Sequence, residues 1–329
     1  MNTQIVYALI ASPEDLFLQE IWASVYSLRL YDNIREVRVC CDNATAAYVK
    51  KYAGFIKLIT EIVIIPIADN YNAKQRSREI KTSIRKFISG KYLFVDTDTI
   101  FAGTLDIIDI LACDIAAVPE FHLPLKGFFY RDHIINTVKN IFDVDVSDAE
   151  RWHNSGVMYV ADTPVAHQLY EKWNSNWRYS SFEKGNSQDQ PSLIKADKDM
   201  GYIIQELPGE YNCQMAISIR YFFEAKIIHF LHFDLLPQPQ NPFIDKSIYA
   251  KIKNDGGISN ETGEIISHCK SSFATSSAII DGVALDFLLS NPGHVFYAIA
   301  KHGGWLLSAM NKVAALFSFI MKRKNIKLW

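Results

Sequence analysis

The sequence contains few cysteines, and their spacing is uninformative for metals and disulfides. The five, an odd number, are Cys40, Cys41, Cys113, Cys213 and Cys269. No two of them have the C-x-x-C spacing of a redox or zinc site, and an odd set leaves no complete disulfide framework. We therefore expect buried, reduced thiols in a reducing compartment.

An excess of charge of one sign is also missing, and so is a targeting segment. The 34 Lys and Arg residues nearly balance the 36 Asp and Glu residues, so the net charge is only −2. Such a balance gives no general attraction to nucleic acid. Because the first predicted strand begins at residue 4, we expect neither a signal peptide nor an anchor of about 20 apolar residues before it. These absences predict a cytoplasmic protein.

What the sequence does contain is an alternation of apolar strands and helical patterns. Hydrophobic residues make up 49% of the 329, enough for one large core. The predicted strands are 4–10, 37–41, 61–65, 92–95, 156–160 and 226–230. The predicted helices are 13–30, 44–52, 73–88, 134–141 and 164–177. Because apolar strands alternate with helices, we predict an α/β fold with a mostly parallel sheet and helices on both faces.

The triplet Asp96-Thr97-Asp98 directly follows the apolar strand 92–95. Side chains two residues apart in an extended segment point the same way, so both carboxylates can face one ion. Oxygen ligands of this kind suit Mn²⁺ or Mg²⁺, and ligands of parallel sheets bind beyond the carboxyl ends of the strands. Similar triplets at 143–145 and 197–199 do not follow an apolar strand, and we expect solvated surface acids there.

The helical pattern before this triplet is basic. Arg78, Lys81 and Arg85 recur at spacings of three and four residues, so they share one helix face. This face is either simply solvated or supplies cations to a pyrophosphate near Asp98. Arg78 and Lys81 are the stronger candidates for the second role.

Seven short motifs follow one another between residues 4 and 232. They are Tyr7-Ala8-Leu9-Ile10-Ala11-Ser12, Ser77-Arg78-Glu79-Ile80-Lys81, Phe94-Val95-Asp96-Thr97-Asp98-Thr99, Asn154-Ser155-Gly156-Val157-Met158, Ser187-Gln188-Asp189-Gln190, Leu207-Pro208 with Tyr211-Asn212, and Ile227-Ile228-His229-Phe230. In this order they resemble the GT-A glycosyltransferases, and most of all family 8, which includes glycogenin and bacterial lipopolysaccharide galactosyl- and glucosyltransferases. The resemblance implies a GT-A (nucleotide-diphospho-sugar transferase) fold. It also implies transfer of a hexose from a nucleotide-sugar, such as a UDP-sugar, to a glycan or lipid-linked acceptor in the synthesis of a bacterial surface polysaccharide or lipopolysaccharide.

The resemblance implies a role for individual residues. Asp96, Asp98 and His229 would bind the metal, with His232 as the rival third ligand and a buried core histidine as the plain alternative for His229. Asp189 would bind sugar hydroxyls, Gln190 would lie near the anomeric carbon, and Asn154 would face the donor sugar or the acceptor. The implied donor-binding residues are Ala8, Ser12, Arg78, Lys81, Asp96, Thr97, Asp98 and Ser155.

The chain departs from the family after His229. The family usually continues to a glycine and a Lys-Pro pair that grips the pyrophosphate, but residues 230–235 contain neither. Arg78 and Lys81 therefore remain the expected phosphate cations. The resemblance favours retention of anomeric configuration, whereas an inverting enzyme would need a carboxylate base, for which Glu120, Asp132 and Asp189 are candidates.

Two other functions fit the same fold. A sugar nucleotidyltransferase would share the sheet and the metal, but normally has a glycine-rich phosphate loop after the first strand. Residues 11–15 contain no glycine. A non-catalytic protein that binds a glycan or nucleotide-sugar is the other alternative, although both aspartates and the histidine are present.

The end of the chain has a different composition. Residues 294–329 carry six Lys and Arg and no acid, while apolar side chains recur at helical spacing between Trp305 and Ile320. This predicts an amphipathic helix that lies on an anionic membrane or packs on the catalytic domain. Asn311 and Lys312 argue against a membrane span. We predict a catalytic domain at 1–233, an irregular acceptor-side extension at 234–290 and this tail at 291–329.

Overall fold

The computed structural model describes residues 3–128, 130–214, 220–231, 241–273, 287 and 290–323. The chain divides into two compact units. The first comprises residues 1–233 and 238–277, and the second comprises residues 234–237 and 278–329.

The first unit is built on two sheets. In chain order, its described strands are β1 Gln4–Leu9, β2 Val37–Cys41, β3 Glu61–Ile64, β4 Tyr92–Val95, β5 Thr99–Phe101, β6 Ile115–Pro119, β7 His153–Val160, β8 Gln205–Glu206, β9 Cys213–Gln214 and β10 Ile227–His229. The large sheet has the order β3-β2-β1-β4-β7-β6-β8, and the small sheet has the order β5-β10-β9. In the large sheet only β7 runs antiparallel to its neighbours β4 and β6, so the predicted mostly parallel α/β sheet is confirmed.

Helices cover both faces of the large sheet. Those of the first unit are α1 Phe17–Tyr31, α2 Asn43–Val49, α3 Ala53–Ile56, α4 Ala73–Ser83, α5 Arg131–Phe142, α6 Pro164–Arg178, α7 Gln190–Lys198, α8 Ser247–Asp255 and α9 Asn260–Ser267. Alternate residues of β4 enter different cores, since Leu93 and Val95 pack with α1 while Tyr92 and Phe94 pack with α4 and α6. A strand buried on both faces has no polar side, which is why β4 reads as a continuous apolar run.

The first helix begins later than the sequence predicts. The side chain of Asp15 accepts hydrogen bonds from the backbone N–H of Ser12 (2.9 Å) and of Phe17 (3.1 Å). These bonds hold residues 12–15 in a turn, so α1 starts at Phe17 and not at Pro13. The basic helix α4 begins at the predicted residue, Ala73, where Asn72 and Gln75 form a capping box.

The prediction of irregular structure after residue 234 is wrong for the part that the structure describes. Helices α8 and α9 both lie in this stretch and both contact α1. Ile248, Tyr249 and Ile252 of α8 are buried at helical spacing. Ser259 caps α9 by accepting from the backbone N–H of Thr262 at 3.3 Å. Residues 232–240 and 274–286 of the predicted extension lie outside the described residues.

The second unit is described as two helices, α10 Asn291–His302 and α11 Gly304–Arg323. They confirm a helical tail, and Trp305, Val313, Leu316 and Phe317 on α11 are each more than half exposed. Residues 324–329, which include two of the predicted basic side chains, lie outside the described residues. Among the helices that the structure describes, none combines the length and apolarity needed to cross a membrane.

Candidate active site

Asp96, Asp98 and His229 come together although His229 lies more than 130 residues further along the chain. Strand β10 pairs antiparallel with β5, which places His229 opposite Thr99 and next to the triplet that follows β4. The Nε2 atom of His229 lies 3.2 Å from a carboxylate oxygen of Asp98. One potential ligand atom from each of the three residues lies within 4.8 Å of the others. The cluster is therefore compatible with a divalent metal ion; His232, the rival ligand, lies outside the described residues.

Asn212 orients the imidazole of His229. Its Oδ1 lies 3.0 Å from Nδ1 of the ring, and its Nδ2 donates to Oδ1 of Asn154 at 2.9 Å. Because an amide oxygen only accepts, Nδ1 carries a proton, and Nε2, which faces Asp98, is the ring nitrogen that a metal ion could bind once it is deprotonated. The sequence motif Tyr211-Asn212 contained this residue, but no pattern in the sequence assigned it a role at the site.

Gly156 leaves the space that the cluster occupies. A Cβ atom at this position would lie 2.2 Å from Cε1 of His229 and 2.9 Å from Oδ2 of Asp96. The backbone also touches the site, since the Gly156 carbonyl accepts from the N–H of Asp96 at 2.7 Å. Only glycine fits where β7 passes the cluster this closely.

A cavity of about 490 Å³ opens beside the cluster, at the carboxyl ends of β1 and β4 and the start of α4. Of the predicted donor-binding residues, six lie in its wall: Ala8, Ser12, Arg78, Asp96, Thr97 and Asp98. Lys81 and Ser155 do not line it. Its position matches the rule that ligands of such sheets bind beyond the carboxyl ends of the strands, and its size is typical of small-molecule sites.

Known proteins resemble the chain in structure but not in sequence. No family model and no curated protein matches the sequence. The bifunctional glycosyltransferase WbbM superposes with a TM-score of 0.51 at 13% identity, over 78% of this chain and 52% of its own, so the chain spans about half the length of WbbM. GlyE of Streptococcus pneumoniae TIGR4 gives 0.49 at 15% identity over 85% of this chain and 66% of its own. The galactosyltransferase LgtC, solved with donor and acceptor sugar analogues, gives a TM-score of 0.49 at 13% identity, over 79% of this chain and 98% of its own.

The chain has a GT-A fold. The WbbM superposition and the mostly parallel sheet agree on this point. Identities of this size establish the fold alone, and membership of family 8 is not shown.

In this GT-A fold two basic residues of helix α4, Lys81 and Arg78, contact carboxylates. Nζ of Lys81 lies 3.1 Å from both side-chain oxygens of Asp96 and 3.3 Å from Asp189. Nε of Arg78 lies 3.1 Å from Asp189. The Lys81 side chain is only 3% exposed, whereas that of Arg78 is 31% exposed and lines the cavity. Arg85 faces elsewhere: it donates to the Gly90 carbonyl and lies over the ring of Tyr92.

Asp189 is a buried carboxylate held in its charged form. Burial by itself would raise its pKa, but the positive charges of Arg78 and Lys81 and the hydroxyl of Ser155 hold that pKa below the ordinary range of an aspartate. The Ser155 hydroxyl donates to it at 2.8 Å. Ser155, predicted to bind the donor, thus contacts Asp189.

Glu120 joins two of the predicted catalytic residues. It accepts hydrogen bonds from Nδ2 of Asn154 (3.2 Å) and from Nε2 of Gln190. Burial raises the pKa of Glu120, and these two hydrogen bonds only partly counter the effect. Glu120 and Gln190 line a second cavity. Asp132, another candidate base, is on the exposed side of α5 and lines neither cavity.

The two other Asp-x-Asp triplets lie away from the site. Asp143 and Asp145 are exposed, as predicted. Asp197 contradicts the prediction, because it is buried and accepts from the backbone N–H of Ile204 at 3.0 Å. Burial raises the pKa of Asp197 to about 6. The predicted buried thiols are found at all cysteines except Cys113, which is partly exposed, and all five are free.

A lysine that no sequence motif indicated also lies near the cavity beside the metal cluster. Nζ of Lys246 lies 3.1 Å from Glu20, a buried acid that lines the cavity and also accepts from the hydroxyl of Thr97. Lys246 precedes α8, so the segment predicted to be irregular contributes a cation at the edge of the cavity.

Proposed function

We propose that this chain is a metal-dependent glycosyltransferase that moves a hexose from a nucleotide-sugar, a UDP-sugar in particular, to a glycan or lipid-linked acceptor. The observation that carries the proposal is the cluster of Asp96, Asp98 and His229 in contact with the cavity at the carboxyl ends of β1 and β4. On this proposal, residues 1–233 form the catalytic domain and the cavity receives the donor.

Mn²⁺ or Mg²⁺ held by these three residues would neutralise negative charge on the leaving nucleoside diphosphate. In the reaction, an acceptor hydroxyl oxygen bonds to the anomeric carbon, and its proton passes to an oxygen of the leaving diphosphate or, with inversion, to Glu120. The bond from that carbon to the diphosphate oxygen breaks, and the diphosphate keeps the bonding electrons. Arg78 would contact the diphosphate from the cavity wall. We assign Lys81 to positioning Asp96 and Asp189, because its ammonium is buried between them.

Asp189 and Gln190 would face the donor sugar. Both carboxylate oxygens of Asp189 are paired with cations, which makes this group a hydroxyl-binding acceptor and a weak base. Retention of configuration, as the family 8 resemblance implies, needs little from a base. A second candidate is inversion with Glu120 as the base, which its burial beside Gln190 favours. The anomeric configuration of the product, read by proton NMR, decides between the two.

The tail supplies the proposed partner surface. Exposed apolar side chains on α11 and the basic composition of residues 294–329 support peripheral binding to the inner face of an anionic cell membrane. Such a location would suit a lipid-linked acceptor in lipopolysaccharide or surface polysaccharide synthesis. A protein truncated after Ser290 should lose sedimentation with vesicles that contain anionic lipid; unchanged sedimentation would contradict this part of the proposal.

Thermal unfolding with UDP and Mn²⁺ tests the donor site. The wild type should be stabilised by the pair, whereas Asp98→Asn should not. Asp145→Asn is a matched control, because it changes an exposed aspartate in another Asp-x-Asp triplet. No stabilisation of the wild type, or equal stabilisation of both variants, would refute the proposal.

A panel of UDP-sugars separates the alternatives. A glycosyltransferase should slowly hydrolyse one of them to UDP and free sugar. A nucleotidyltransferase would instead convert a UDP-sugar and pyrophosphate to UTP and a sugar phosphate. A binding protein would be stabilised by a UDP-sugar without any turnover.

A further inference from the structure

The second cavity of the site has a volume of about 500 Å³ and a wall rich in aromatic side chains. Glu120 and Gln190 line it together with four aromatic residues. These are Phe121, Phe128, Tyr130 and Trp152. The cavity lies within the first unit, and we call it the aromatic cleft. Its size falls within the range of small-ligand sites.

Several rings in the wall of the aromatic cleft form a continuous row. Phe121 and Phe128 are stacked with centroids 5.8 Å apart, and the ring of Phe128 meets that of Tyr130 edge to face at 6.2 Å. The row continues to His133, whose ring centroid lies 6.4 Å from that of Tyr130. Phe121 and Phe128 are buried, while Tyr130 is partly exposed and His133 is exposed. The cleft thus offers an accessible aromatic surface beside a buried carboxylate.

The backbone at the inner end of the cleft is strained and firmly held. Phe121 has a φ of 49° and His122 a φ of 61°, in the left-handed region that bulky residues rarely adopt. The buried side chain of Gln214 clamps this turn, since it accepts from the N–H of Phe121 (2.7 Å) and donates to the carbonyl of Pro119 (3.1 Å). Strain maintained in this way is typical of functional sites. Here the strained turn carries Glu120 and Phe121, which both line the cleft.

We infer that the aromatic cleft binds the terminal pyranose ring of a glycan acceptor, with one ring face on Tyr130 and a hydroxyl on Glu120. A pyranose has an apolar C–H face and a polar edge, and the cleft is lined both by aromatic rings and by the polar side chains of Glu120, Gln188 and Gln190. The inference rests on the proposed function, because it makes the cleft the acceptor side of the same reaction. It narrows the acceptor class to glycans that end in a hexopyranose.

Counting the residues that the structure describes, the Glu120 carboxylate has room for one more hydrogen-bond donor. A carboxylate offers about four acceptor positions, and Asn154 and Gln190 occupy three of them. A sugar hydroxyl can take the fourth. Gln190, which reaches Glu120 from the start of α7, would then lie between the acceptor hydroxyl and the donor sugar.

Saturation-transfer NMR with methyl glycosides tests the inference without the natural acceptor. The probes are the α and β forms of methyl glucopyranoside and methyl galactopyranoside. At least one should receive saturation from the wild type in its C–H protons. Tyr130→Ala should raise the Kd for that probe about tenfold, as expected when an aromatic contact is removed. Tyr130→Phe should bind the probe as tightly as the wild type does.

Phe223→Ala is the matched control, because it removes an exposed aromatic ring that lines neither cavity. It should leave probe binding unchanged. Binding that persists in Tyr130→Ala, or no transfer to any of the four probes, would overturn the inference. Binding of UDP and Mn²⁺ is measured separately. A protein that binds UDP but no pyranoside would refute only the acceptor role of the cleft. A protein that binds a pyranoside but no UDP would refute only the proposed donor site.

Discussion

The Oδ1 atom of Asn212 lies 3.0 Å from Nδ1 of His229, and Nε2 of the same ring faces Asp98. The amide therefore determines which nitrogen of the imidazole is available to a metal. Partners of this kind fix the tautomer and the orientation of a ligating histidine, and their loss typically weakens metal binding by a factor of about 10 to 100.

Asn212→Ala should accordingly lower the affinity for Mn²⁺ by a factor of about 10 to 100. Isothermal titration calorimetry with Mn²⁺ and UDP measures the change. Asn140→Ala, at an exposed position of α5, is the control and should bind as the wild type does. Equal affinity in the two variants would show that His229 is not held through Asn212.

Gly156→Ala should damage the metal cluster more than it damages the fold. The added methyl group would stand 2.2 Å from His229 and 2.9 Å from Asp96, so both side chains would have to move. We expect Mn²⁺ affinity to fall at least about tenfold, as for other losses of ligand orientation. Gly257→Ala, where the nearest atom to a new Cβ lies at 3.7 Å, should have no such effect. Retention of wild-type affinity in Gly156→Ala would contradict the close approach.

Lys81→Met should lower the free energy of unfolding by about 3 kcal/mol, because it removes the cation from a buried group of charges. Asp96 would lose its nearest cation, and Asp189 would keep only Arg78. Urea denaturation followed by circular dichroism gives the value. Lys86→Met, at an exposed position shortly after α4, should change it little. Adding Asp189→Asn to Lys81→Met should recover part of the lost free energy of unfolding. No recovery would argue against the ion pair of Lys81 with Asp189.

Because Asp197 is buried, we expect the free energy of unfolding to depend on pH. Burial raises its pKa in the folded protein to about 6, above the value of about 3.9 expected in the unfolded chain. The contribution of this group to stability is therefore complete below about pH 4 and is lost as the pH rises through 6. Asp197→Asn should be more stable than the wild type at pH 7.5, by about 2 kcal/mol, and this advantage should shrink as the pH falls toward 4.

Urea denaturation of both proteins at pH 5 and pH 7.5 checks this prediction. Asp199→Asn, in the same triplet but exposed, should show no comparable gain. An equal difference between Asp197→Asn and the wild type at the two pH values would show that burial does not raise the pKa of this carboxyl.

Local patterns in the sequence were sufficient for most of the sheet. The apolar run of β4 lies at the centre of the sheet, and its apolarity, together with the position of Asp96 and Asp98 at its end, was readable because burial on both faces excludes polar residues. Helices α8 and α9 were not predicted, since the surrounding prolines, glycines and polar residues obscured the short apolar spacing of Ile248, Tyr249 and Ile252. The start of α1 was misplaced because a side-chain bond from Asp15 competes with the helix.

The sequence by itself determined the α/β class, the positions of the first strands along the chain and the place of the Asp-x-Asp triplet, since these depend on residues close together in the chain. Only the tertiary structure brought His229 to Asp98, Lys81 to Asp189 and Glu120 to Gln190. Each of these pairs joins residues at least 70 positions apart, and no periodicity records such a contact. The tertiary structure also separated Asp197 from the exposed acids, because burial depends on how α7 packs and not on the triplet in which the residue stands.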